Sequence, residues 1–248
     1  MSVEFEQLRL EPAYRKVAAA LIERIVGREL NDGDHLPAEI ELARQFGVNR
    51  STVREAYREL ESSGLLGRRR GSKRMVVTRP QAGLVAQGVS RALVLHDVSF
   101  VEVWEALTIL EPPIAESAAR RRTAGDLAHL TEVAARYARD NRDTALAVRL
   151  VPEFFTVLGA ATHNPALMLA HEPLIQLLGP SVGAMIDKVP QARARIGTAQ
   201  RRLCEAIGAS DGEAARTWMA KHIRDFRRGY ELAGIDLGRR VAKPRASR

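Results

Sequence analysis

The chain has 248 residues, 46% of them hydrophobic and 27% charged, which suits a folded protein in water and is long enough for two modest domains. Nothing in it approaches the roughly 18 to 20 unbroken apolar residues of a membrane span, and "MSVEFEQLRLEP" carries acids without the apolar run of a signal peptide, so a cytoplasmic protein with no membrane partner is expected. The formal charge of +8 is unevenly placed: residues 1–80 hold 15 Lys+Arg against 12 Asp+Glu, residues 81–238 hold 18 of each, and residues 239–248 hold five basic residues and no acid.

In chain order, residues 10–30 place Val17, Ala20, Leu21 and Ile25 at helical spacing and end near Gly27. "NDGDHLP" (Asn31–Pro37) is turn chemistry. A short helix over Ala38–Phe46 turns Leu42, Ala43 and Phe46 inward, and Gly47 ends it with access to the left-handed conformation. Asn49 is expected to cap the next helix, in which Val53, Ala56, Tyr57 and Leu60 form an apolar stripe. Arg50, Arg54 and Arg58, four apart, share a different face. After Gly64, "LLGRRRGSKRMVVT" reads as two short strands joined by a loop around Gly71. Helix, helix, turn, helix and two-stranded wing make a winged helix-turn-helix, assigned to residues 8–78.

Residues 79–97 mix turn residues with a weak helical signal and read as a linker. Beyond them, helical spacing predicts helices over Phe100–Arg121, Ala124–Ala138, Thr144–Ala161, Pro165–Leu178, Gln191–Ile207 and Asp211–Ala233. Pro112 and Pro113 are expected to kink or split the first. Six or seven helices with short loops imply an all-α bundle over residues 98–235, followed by a basic flexible tail, 236–248. The fold class is therefore mainly α, with a winged helix-turn-helix ahead of a helical bundle. Cys204, the single cysteine, reads as a small buried residue and excludes an intrachain disulfide.

A turn that sets two helices at a steep angle lets the second enter a major groove while the first braces on the backbone. The first turn of that second helix offers Arg50, Ser51 and Arg54, next to Asn49, to bases and phosphates, arginine being the commonest reader of guanine. The wing loop, with Arg68, Arg69, Arg70, Ser72, Lys73 and Arg74, suits phosphates or the minor groove, and Gly71 lets the backbone come close. Double-stranded DNA is the expected partner. A homodimer would read a palindromic operator.

The stretch "LPAEIELARQFGVNRSTVREAYRELESSGLL", Leu36 to Leu66, resembles the DNA-binding domain of GntR-type bacterial transcription regulators. The resemblance covers about residues 10–78 and implies that Arg50, Ser51, Thr52, Arg54 and Gly71 touch DNA. Many relatives have arginine where this chain has Ile40. The later stretches "ILEPPIAESAARRRT", "FFTVLGAATHNPAL" and "LCEAIGASDGEAARTWMAKH" resemble the ligand-binding domain of the FadR subgroup, over about residues 98–235. Many of those relatives hold a divalent metal on an Asp, its His partner and two more histidines. Here the four positions are Val151, Phe155, Gln200 and His222, so no metal and no cofactor is expected.

Leu107 stands where relatives carry an arginine suited to a carboxylate. The pocket residues Leu107, Val151, Phe155, Gln200 and His222 therefore imply a small apolar or amphipathic effector. His163 and His171 read as surface or satisfied residues. A transcription regulator, acting as a repressor, is the leading reading. An architectural DNA binder and a DNA-tethered enzyme are the alternatives, the last without a Ser/His/Asp order, a phosphate loop or paired carboxylates to support it.

Overall fold

The computed structural model describes residues 11–69 and 74–241, the side chain of Pro180 excepted. They fall into two compact units that divide between Leu84 and Val85.

In the first unit, α1 (Ala13–Val26), α2 (Glu39–Phe46) and α3 (Arg50–Ser62) precede β1 (Leu66–Arg68) and β2 (Met75–Val77). The strands are antiparallel, with Leu66 opposite Val77 and Arg68 opposite Met75. A third segment joins their edge: Gly33 and Leu36 donate to the carbonyls of Val77 and Met75, and Val77 donates to Asp34. Val17, Leu21, Leu42, Val53, Ala56, Leu60, Leu66 and Val77 form the core. Gly47, at φ 64°, makes the left-handed turn that starts α3 on its new course.

Asn49 sits at the N-cap of α3 in extended conformation, yet its side chain makes no capping hydrogen bond. Its backbone carbonyl takes the bonds instead, from the N–H groups of Thr52 at 3.0 Å and Val53 at 3.4 Å. The expected side-chain cap is thus replaced by a backbone one. The loop residues Arg70, Gly71, Ser72 and Lys73 lie outside the described residues.

The second unit is helical. The stretch expected as a linker carries α4 (Ala82–Leu95), whose buried residues are Ala86 and Ser90, with Ser90 Oγ donating to the Pro173 carbonyl at 2.9 Å. Leu93 and Val94 pack partly against the core while Leu84, Val89 and Leu95 are exposed, so apolar residues on both sides blur the stripe in the sequence. Six more helices follow among the described residues: α5 (Phe100–Arg121), α6 (Ala124–Asp140), α7 (Thr144–Ala160), α8 (Pro165–Lys188), α9 (Pro190–Gly208) and α10 (Gly212–Leu232). The helix α5 packs along α10, α7 along α8, and α6 against both α7 and α9.

Side chains cap the helices where the sequence turns polar. Ser99 with Glu102 and Thr123 with Asp126 form capping boxes, and Asp143, Asn164 and Asp211 accept from first-turn N–H groups.

Three expectations change here. Pro112 and Pro113 do not split α5, which runs unbroken through them. The carbonyls they free belong to Thr108 and Ile109, both on the exposed face, where water can serve them. The helix α8 continues ten residues past Leu178, because Val182, Met185 and Ile186 extend its buried stripe. The start of the supposed tail is held rather than loose. The Leu237 and Arg239 carbonyls accept from the N–H groups of Val101 and Phe100, satisfying first-turn donors of α5, while Val241 is buried and donates to the Val98 carbonyl. Residues 242–248 lie outside the described residues.

Candidate nucleic-acid interface and effector pocket

The helix α3 is amphipathic. Its apolar stripe packs inward, and Tyr57, buried, donates to the Pro37 carbonyl at 2.8 Å, tying α3 to the residues that lead into α2. Burial pushes the Tyr57 phenol up to about 12. On the outer face stand Arg50, Ser51 and Arg54, exposed, with Thr52 half-buried.

The two arginines converge on one carboxylate. Arg50 Nε donates to Glu39 Oε2 at 2.7 Å, and Arg54 donates to Glu39 through Nε and Nη2, the latter at 3.1 Å. These charge-assisted bonds, those of Arg54 first, hold the Glu39 carboxyl below the usual carboxylate range. Each guanidinium has five N–H donors, so the clasp fixes its direction and leaves most of its donors for a ligand. Glu39 was legible only as a motif letter in Leu-Pro-Ala-Glu; its contacts span 11 and 15 residues and need the helix-turn-helix to form. Ile40, beside it, is 66% exposed, an apolar side chain left in water on α2.

In the second unit, Leu107, Val151 and Phe155 line one apolar cavity together with Trp104, Ile175 and Phe226. Its volume is about 10 Å³, space for about one water. The cavity is nearly filled by its own side chains.

His222 lies against Phe155, rings parallel within 3° and 5.7 Å apart, with Phe226 edge-on at 4.8 Å. Gln200 is fully buried on α9, does not line this cavity, and has both amide atoms without a hydrogen-bond partner among the described residues. Of the five pocket residues read from the sequence, Leu107, Val151 and Phe155 line this cavity, His222 stacks on Phe155, and neither His222 nor Gln200 is among the lining residues. Among the described residues no group of three or more His, Cys, Asp or Glu side chains is placed to hold a metal.

Burial pushes His222 down to about 3 from 6.5. The unfolded chain therefore takes up this proton first as pH falls, so the stability that neutral His222 allows is complete above about 6.5 and lost on acidification toward 3. The expected slope is roughly 1.4 kcal/mol per pH unit from this residue alone. Urea midpoints followed across that window should flatten in His222→Phe. An unchanged slope would mean that His222 is not buried as neutral imidazole.

Two histidines read as surface or satisfied resolve differently. His163 Nε2 lies 2.7 Å from Asp126 Oδ2 at the surface. His171 is fully buried, its Nδ1 3.0 Å from Glu111 Oε1. The pairing crosses from α5 to α8, 60 residues apart, which local spacing does not reveal. Cys204 is buried, and desolvation pushes its thiol up to about 11.

Comparison with known proteins follows the same division. Residues 13–77 match the family described as bacterial regulatory proteins, gntR family, and residues 102–225, half of the chain, match the FCD domain. The chain is similar, at 29% identity over 188 residues, to the HTH-type transcriptional repressor NanR of Edwardsiella tarda (strain FL6-60), covering 73% of this chain and 72% of that protein. It is similar at 26% identity over 236 residues to the protein of the same name from Salmonella typhimurium (strain LT2), covering 92% and 89%. Among solved structures, Streptococcus agalactiae GntR superposes with a TM-score of 0.61 at 27% identity, over 87% of this chain and 99% of that one.

Proposed function

We infer, from the premise that this chain belongs to the gntR family of bacterial regulatory proteins and carries an FCD domain, that it is a sequence-specific DNA-binding transcription repressor. The observation that carries this reading is the clasp at the start of α3, where Glu39 holds Arg50 and Arg54 on an exposed face. Asn49, Ser51 and Thr52 complete the surface that would enter the major groove, with Arg70, Gly71, Ser72 and Lys73 of the wing on the flanking backbone or minor groove. The reading extends to a cytoplasmic homodimer on a palindromic operator, of the FadR subgroup. Its helical domain would bind a small apolar or amphipathic effector between Leu107, Val151, Phe155 and His222. The repressor relatives support the sign of regulation.

Such an effector changes operator affinity only by binding one dimer geometry better than another, and a coupling of about 1–3 kcal/mol gives roughly 5- to 150-fold. The test is a shift of DNA from upstream of the protein's own gene, mapped by footprinting. A discrete palindromic footprint is expected. Coating of the DNA without one would instead favour an architectural role.

The same pocket is expected to take no metal. Val151 and Phe155 offer no ligand atom, and the apolar wall is a poor place for a hydrated ion. Elemental analysis should find no stoichiometric zinc, nickel or manganese in the purified protein. About one metal per chain, lost in His222→Ala, would overturn that part of the reading.

A further inference from the structure

Two guanidinia and one carboxylate meet where α2 and α3 begin. Glu39 Oε2 accepts from Arg50 Nε at 2.7 Å and from Arg54 Nη2 at 3.1 Å, and Glu39 Oε1 accepts from Arg54 Nε at 3.3 Å. The Glu39 side chain is 22% exposed, against 57% for Arg50 and 45% for Arg54, so the carboxylate is the shielded member and the guanidinia face solvent. Its base is fixed as well. The Tyr57 phenol, from the middle of α3, donates to the Pro37 carbonyl two residues before Glu39.

This arrangement separates direction from charge. Arg50 is held through Nε alone, leaving Nη1 and Nη2 without a partner among the described residues, and Arg54 is held along its Nε–Nη2 edge, leaving Nη1. The open end of a guanidinium is the fork that meets O6 and N7 of guanine. A glutamate can itself accept from cytosine N4, but both Glu39 oxygens are already engaged, which suits it to aiming rather than reading. The three groups sum to +1, where the arginines alone would give +2. Attraction to phosphates grows with that charge on any DNA, whereas a base-edge hydrogen bond depends on direction and on sequence.

We propose that Glu39 is a specificity-determining residue of the DNA reader: a positioning carboxylate that holds Arg50 and Arg54 toward the base edges and suppresses binding to non-operator DNA. It acts through the arginines and touches no base. Its negative charge weakens their pull on phosphates wherever the protein lands. On the operator, hydrogen bonds from the pre-aimed guanidinia to bases offset that loss, and on other sequences nothing does.

This inference rests on the reading of the chain as an operator-binding repressor, and one experiment separates the two. Full-length protein is titrated onto its footprinted operator and onto scrambled DNA, by fluorescence anisotropy at several salt concentrations. Glu39→Gln keeps the size of the side chain and removes the charge. Scrambled DNA should then bind about five- to ten-fold tighter near 0.1 M salt, with a salt slope steeper by about one unit, as one more released counterion gives. The operator should gain less, so the ratio of the two affinities should fall about five-fold or more. Glu41→Gln is the control: it removes the same charge from α2, where the partner is the exposed Arg44, and should leave that ratio unchanged. Where Glu39→Gln does not fold, Glu39→Asp decides. It keeps the charge with a shorter reach, so it should lower the ratio without steepening the salt slope. An unchanged ratio in Glu39→Gln, equal weakening on both DNAs, or the same fall in Glu41→Gln would overturn the role of Glu39 and leave the repressor reading standing. The absence of any discrete footprint would overturn the repressor reading itself, and this role with it.

Discussion

Arg54→Ala should lose discrimination between operator and scrambled DNA by about 1–3 kcal/mol, the worth of a good bidentate base contact. The structure strengthens the choice of residue. Arg54 leaves α3 on the exposed face one turn from Arg50, and both are aimed by Glu39. A guanidinium held in advance loses less rotational freedom when it meets a base edge. Arg69, beyond the end of β1, has a different expected role. Arg69→Ala should weaken specific and scrambled DNA alike and reduce the salt slope by about one unit, as loss of a phosphate contact does. Gel shifts with both DNAs at several salt concentrations separate the two outcomes. Equal losses of specificity at the two positions would end this division of labour.

How much of this was legible in the sequence depends on the range of the interaction. The apolar stripe Val53, Ala56, Tyr57, Leu60 and the turn at Gly47 are local, and the structure has both as read. Leu107, Val151 and Phe155, from two helices, line one cavity. What was missed joins distant segments. Glu39 reaches Arg54 across 15 residues, and His171 reaches Glu111 across 60. A histidine in an apolar run looks the same in sequence whether its partner lies in water or on another helix. The α4 segment was missed for another reason. Its large apolar residues Leu84, Val89 and Leu95 are exposed while Ala86 and Ser90 are buried, so the apolar letters do not mark the inward face. The tail was misjudged from charge: Arg240 pairs with Asp97 Oδ1 at 2.8 Å, and the backbone of the segment, with buried Val241, ties it to the start of α5.

Gly159→Ala should destabilise the helical unit, although alanine is the better helix former. Gly159 stands in the last turn of α7, where the exchange gains at most the roughly 1 kcal/mol of a helix interior. Here the added methyl would meet His171 Nε2 at 2.1 Å and Cε1 at 2.7 Å. The imidazole is fully buried and bonded to Glu111, so moving it either strains the core or breaks that bond. Overpacking costs about 1–3 kcal/mol, and a buried polar atom stripped of its partner costs a similar amount. The clash wins, with a net loss of about 1–4 kcal/mol. At roughly 2–4 °C per kcal/mol for a unit of this size, the unfolding midpoint should fall by several degrees. Gly88→Ala is the control. It lies on the exposed side of α4 with nothing within 4 Å of its Cβ position, and should gain about 0.5–1 kcal/mol. The double variant Gly159→Ala, His171→Ala then isolates the cause. With the imidazole gone the methyl has space, so the two losses should add to less than their sum. Strict additivity, or a Gly159→Ala protein as stable as the parent, would mean that His171 does not pack its ring against Gly159.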